Sequence, residues 1–213
     1  MRVLLHAYHR PEIMYIPEVT RALLVANIAV FVLQMFAEQM LIAYFALWPV
    51  NAPFSAGVHF APWQLVTYSF LHGNGMHLLF NMFGLYMFGS DVERVLGTRR
   101  YIMYYFGCVV TAAVTQLLIS ALANWPPFPT IGASGGVFGL LLAFGLFFPR
   151  RTVVLLIPPV PMPAWLFVTL YGLLELVLGV TGTSQGVAHF AHLGGMLGGW
   201  LLIRSWRGNS GWR

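Results

Sequence analysis

Six apolar stretches divide this chain, at roughly 22–43, 77–94, 100–123, 134–149, 164–181 and 187–204. Each is close to the roughly 17–25 residues that carry an α-helix across a bilayer. The segments between them alternate in character. The linkers at 44–76, 124–133 and 182–186 contain no arginine, whereas every arginine-bearing segment falls on the opposite side of this alternation. Cytoplasmic loops are enriched in Lys and Arg, so an even number of spans places both termini in the cytoplasm. A five-span layout with 77–94 re-entrant would put the Arg150–Arg151 loop and the Arg-rich tail on the wrong sides. The predicted fold class is an all-α membrane protein, a bundle of six transmembrane helices. Residues 1–21 form a short cytoplasmic N-terminal segment, 22–204 the membrane domain and 205–213 a cytoplasmic tail. The 44–76 linker is itself apolar, and Trp48, Phe54 and Trp63 suit the headgroup boundary, as an aromatic belt or as part of a gate.

Composition agrees with this layout. The chain of 213 residues is 59% hydrophobic and 8% charged, where a soluble domain has about a quarter charged residues. A net charge of +5 raises the thought of nucleic acid, but all 11 basic residues are arginines gathered in the loops of one side. That charge orients the protein in a lipid bilayer, and no nucleic-acid partner is expected. The first 19 residues lack a long apolar core and a small-residue cleavage site, so no cleaved leader is expected. The lone Cys108 excludes an internal disulfide framework.

One apolar stretch opens oddly: "PTIGASGGVFGLLLAFGLFFPRR", residues 129–151. From Ser134 to Arg150 is about 24 Å of helix, less than the roughly 30 Å hydrocarbon core. Ser134 therefore lies below the outer surface, on glycine-rich backbone tolerated at that depth only where protein covers it or a wet cavity adjoins it. The serine is either a hydroxyl in such a cavity or another small packing residue.

The histidines bear on this choice. His6, His9 and His59 carry no assigned role. His72, His77, His189 and His192 gather near the outer ends of spans, where ionisable groups by default suggest function. His192 lies about 18 Å of helix before Arg204, at a depth like that of Ser134. It shares a face with Gly195 and Gly199, and Ser134 shares one with Gly135, Gly139 and Ala143. Two small-residue faces let helix backbones approach, close enough for imidazole to reach hydroxyl. His189 is one turn shallower and is expected at the rim. His77 and Asn81, at i and i+4, share a face and both can donate hydrogen bonds. With the Ser134 backbone N–H they form either an oxyanion hole or a polar clamp between helices. Glu12, Glu18, Asp91 and Glu93 belong to the cytoplasmic side and Glu38 to the first span. Glu175 sits near the middle of the fifth, protonated, bonded to a neighbouring helix or lining the cavity. No acid is expected to hold the histidine, which leaves a Ser–His dyad.

Three motifs, "HGNGMHLLFN", "GASG" and "AHLGGMLGG", resemble those of the rhomboid family of intramembrane serine proteases. "GSDVERVLGTRRYIMYYF" is similar to the family's link between its second and third spans. The resemblance covers essentially the whole chain and implies a six-helix rhomboid-like fold. It implies Ser134 as nucleophile and His192 as general base and acid, with His77, Asn81 and Ser134 as oxyanion donors. His72 and Gly132 match supporting positions. Two positions depart from the family's common pattern: Gln64 follows Trp63 where arginine is frequent, and Phe138 stands where a tyrosine often stacks on the histidine. The implied partners are single-pass transmembrane protein substrates, admitted between the second and fifth spans. The expected location is a bacterial inner (plasma) membrane. No cofactor is implied. A metal-dependent alternative lacks His-Glu-x-x-His, and a catalytically dead, client-binding relative would not need both Ser134 and His192.

Overall fold

In the first helix the usual burial pattern is turned inside out. Helix α1, Glu18–Phe45, buries Thr20, Leu23, Asn27 and Gln34, while Met35 and Phe36 stand exposed. The spacing of the buried set is one helical face. A helix with polar residues inside and large apolar ones outside has lipid as its solvent. The structure is a computed structural model that describes residues 15–50, 58–123, 128–156, 158–182 and 188–209. Part of each arginine-free linker, with Phe54, lies outside these residues, as do His6, His9, Arg2, Arg10, Glu12 and Arg213.

After α1 come a short helix α2, Gln64–Thr67, and a tight 3-10 turn at Tyr68–Phe70. Helices α3, Gly75–Gly84, and α4, Ser90–Leu96, are joined by a π-helical stretch at Leu85–Gly89. Then follow α5, Thr98–Leu122; α6, Ser134–Phe147; α7, Ala164–Thr181; and α8, His189–Asn209. Three of them, α1, α5 and α7, are individually long and apolar enough to cross a membrane. The protein is a mostly helical integral membrane protein.

The all-α expectation needs one correction. Between α6 and α7, β1 (Thr152–Leu156) pairs antiparallel with β2 (Pro159–Pro163), with Thr152 opposite Pro163 and Leu156 opposite Pro159. Prolines at every second position of β2 are compatible with a two-stranded ribbon, because alternate residues of an edge strand turn their N–H away from the ladder. So short an element carries no long apolar run.

Helix α6 is the central post, with nine of its 14 residues buried, four of them glycine. Helix α8 packs chiefly on α5 and α6. A Cβ on Gly195 would overlap the carbonyl oxygen of Gly135, and one on Gly199 would overlap the Tyr104 hydroxyl. The backbones of α6 and α8 are thus in contact because side chains are missing. Helix α7 is looser, burying Ala164, Phe167, Val168 and Glu175 only.

Polar groups fix the remaining joints. Glu93 of α4 accepts from the backbone N–H groups of Val19 (3.0 Å) and Thr20 (2.7 Å) and from the Thr20 hydroxyl (2.7 Å). It supplies acceptors to donors that the first turn of α1 cannot satisfy internally. Gln34 clamps the backbone of His72, accepting its N–H at 2.9 Å and donating to its carbonyl at 3.2 Å. Gln64, fully buried, accepts from Trp48 N–H and donates to the carbonyls of Tyr44 and His59. A backbone bridge between Leu47 and Thr130 then ties this segment to the approach to α6.

Candidate active site

The site is built around the entry into α6. Gly132 has φ 125° and donates its N–H to the carbonyl of Tyr68 at 3.0 Å. This backbone conformation suits glycine, and there is a second reason for it: a Cβ here would come within 2.7 Å of Nε2 of His77. The chain then turns so that half-buried Ser134 is the first residue of α6. The first N–H groups of a helix have no partner within it and point outward.

His192, in the first turn of α8, comes from the opposite wall. Its Nε2 lies 2.8 Å from Ser134 Oγ. Phe138, one turn after Ser134 on α6, lies flat against the imidazole, with centroids 4.2 Å apart and planes 5° apart. The histidine ring is therefore fixed in plane and in reach.

His77 sits at the start of α3, whose N-cap Asn74 accepts from the His77 backbone N–H at 2.8 Å. Its Nδ1 accepts from Gly73 N–H at 3.3 Å. A neutral imidazole that accepts at Nδ1 carries its proton on Nε2, so this bond assigns a donor beside Gly132, two residues before Ser134. Asn81 is buried and gives one amide hydrogen to the His77 carbonyl at 2.9 Å. His72 is buried in the loop ahead of α3, its ring edge-on to His77 at 5.1 Å. Burial, with some repulsion from His77, pushes its pKa down from 6.5 to about 4, so the ring is neutral near pH 7.

Two sequence expectations are overturned. Glu175 is near the histidines, and His189 is buried rather than at a rim. Oε2 of Glu175 lies 2.6 Å from Nδ1 of His189 and 2.9 Å from Nδ1 of His192. The first approach has hydrogen-bond geometry; the second has ion-pair distance with a less direct N–H direction. The sequence sets Glu175 near the middle of the fifth span, away from the histidines. The structure puts it six residues before the C-terminal end of α7, about 9 Å, beside the first turn of α8. A signal for this was present in the sequence. Gly172, Glu175 and Gly179 fall at i, i+3 and i+7 on one face of α7. A Cβ on Gly179 would press on His189 and Phe190, and one on Gly172 would touch Met196, so this face meets α8.

The chain is similar to known proteins over most of its length. The rhomboid domain profile matches residues 59–207. Rhomboid protein 1, mitochondrial, of Saccharomyces cerevisiae is 30% identical over 154 residues, which is 67% of this chain and 42% of that protein. Rhomboid protease GluP of Bacillus subtilis is 27% identical over 141 residues, 65% of this chain and 25% of its own length. Rhomboid protease GlpG of Yersinia pestis is 27% identical over 190 residues, 88% of this chain and 62% of its own. The chain thus spans less than half the length of the first two relatives. Because the domain match takes in every residue of the cluster just described, from His72 to His192, the chain belongs to the rhomboid family.

Proposed function

We propose that this chain is an intramembrane serine endopeptidase that cleaves single-pass transmembrane substrates with Ser134 and His192. The observation that carries this reading is the 2.8 Å contact of Ser134 Oγ with His192 Nε2 beneath a stacked Phe138. In the proposed reaction Nε2 takes the hydroxyl proton as Oγ attacks the scissile carbonyl carbon. The carbonyl oxygen becomes an oxyanion held by His77 Nε2–H, the second amide hydrogen of Asn81 and the Ser134 backbone N–H. His192 returns its proton to the leaving amine as the peptide bond breaks. Water, activated by the same nitrogen, then hydrolyses the acyl-enzyme. A substrate helix must unwind locally first, since its carbonyls are engaged in its own hydrogen bonds. We place the reaction in a water-filled cavity below the outer surface of a six-span bundle, with both termini on the arginine-rich side, in a bacterial inner membrane.

The test compares purified wild type, Ser134→Ala and His192→Ala on a single-pass substrate in liposomes. Wild type should cut, and each variant should lose about 10⁴-fold or more of that activity. Cleavage by Ser134→Ala at the wild-type rate would remove Ser134 as nucleophile. Wild-type protein that cuts nothing and resists a serine-reactive fluorophosphonate would turn the reading toward client binding.

A further inference from the structure

The carboxylate of Glu175 is the one acid of the described residues that touches the candidate base, and nothing in a Ser–His dyad requires it. Its surroundings are costly. A buried carboxylate at membrane depth is tolerated when it is paired or hydrogen-bonded. Glu175 is buried, as are both of its partners, and its Oε2 faces the Nδ1 atoms of both His189 and His192. The other ring nitrogen of His192 faces Ser134.

Three groups of this kind are also the makings of a metal site. As they stand, the carboxylate meets both histidines directly. Two ligands of a tetrahedral zinc, each about 2.0–2.2 Å from the ion, stand about 3.3 Å apart. The contacts of Glu175 are 2.6 and 2.9 Å, direct contacts of which the one to His189 has hydrogen-bond geometry.

We infer that Glu175 is a positioning residue for His192, held in place by His189, so that the dyad is backed by a carboxylate from a third helix. Resting on the protease reading, the argument is one of tautomers. A carboxylate oxygen only accepts, so an imidazole facing it presents Nδ1–H, which leaves the lone pair on Nε2 for the serine proton. When that proton arrives, the imidazolium forms beside an anion that is already in place. His189 contributes the better-aligned bond to the same oxygen, which fixes the side chain. Phe138 sets the plane of the His192 ring, and Glu175 sets which nitrogen faces the serine. The close approach of α7 to α8 at Gly179 makes this reach possible.

The experiment measures cleavage and fluorophosphonate labelling of Ser134 on the full chain as wild type, Glu175→Gln, His192→Ala and the double variant. Glu175→Gln should lower kcat and the labelling rate by about 10–100-fold with KM within about twofold. Added to His192→Ala, it should cause no further loss, since the carboxylate acts through that ring. Labelling within about twofold of wild type would overturn the inference. So would a full additional loss in the double variant. If Glu175→Gln does not fold, imidazole ¹H–¹⁵N spectra of the wild type decide. A low-field Nδ1–H resonance that vanishes in His192→Ala supports the contact, and its absence refutes it. A wild type that neither cuts nor labels would sink the protease reading instead, and the spectrum would still judge the contact.

Discussion

At the scale of single residues, the ring face of His192 offers a measurable handle. Phe138 lies parallel to it at 4.2 Å, and an aromatic pair of this kind contributes about 0.5–1.5 kcal/mol. Phe138→Ala should therefore lower kcat roughly 3- to 10-fold and leave KM nearly unchanged, in the same cleavage assay. A change confined to KM would mean that Phe138 contacts substrate and does not steady the base. Gly132 supports the opposite wall. Its positive φ and the nearness of His77 Nε2 both act against a side chain. Gly132→Ala should cost roughly 1–3 kcal/mol of stability, read as a lower unfolding midpoint. It should also reduce turnover by displacing His77.

At the scale of elements, the joint between α1 and α4 depends on one carboxylate. Glu93 accepts three hydrogen bonds, two from backbone N–H groups at the start of α1. Glu93→Ala leaves those donors without a partner and should lower stability by about 2–3 kcal/mol, visible in thermal unfolding in detergent. An unchanged midpoint would show that water replaces the cap. What the sequence revealed here follows from periodicity. Apolar length located all six helical stretches to within a few residues, because it is a local property. The small faces of α6 and α8 were legible for the same reason, as Gly135, Gly139 and Ala143 four apart and as Gly195 and Gly199 three and seven residues after His192. Contacts between distant segments left weaker traces. Gln34 with His72, Gln64 with three backbone groups, and Glu93 with α1 are single polar residues whose partners lie elsewhere in the chain. Glu175 was set near mid-span, apart from the histidines, because its partners lie on another helix, although Gly172 and Gly179 marked its face. The β1–β2 ribbon was missed because an arginine-flanked, proline-rich stretch carries no period-2 polar signal.

At the scale of the whole molecule, His72 couples stability to pH. Its ring is pushed down to about 4 from 6.5, chiefly by burial. Between these values the unfolded chain binds a proton that the folded one refuses. The stability associated with the neutral ring is thus complete above pH 6.5 and is lost as pH falls toward about 4. Unfolding midpoints measured across that range should fall, and His72→Leu should flatten part of the slope. A variant with the same slope as wild type would assign the acid sensitivity to other groups.

The inverted burial of α1 also bears on how the molecule comes to be made. Among the described residues, the side chains of Thr20 and Gln34 find their partners in Glu93, Tyr101 and the backbone of His72, all of which are synthesised later. Asn27 satisfies one hydrogen locally, on the Leu23 carbonyl. A nascent α1 released into lipid by itself would carry amide and hydroxyl groups with nothing to bond. It must be retained at the insertion machinery, or shielded by another membrane helix, until the segment ending at Tyr101 has emerged. Biogenesis of this protein is therefore expected to proceed by paired rather than stepwise delivery of its first helices to the bilayer.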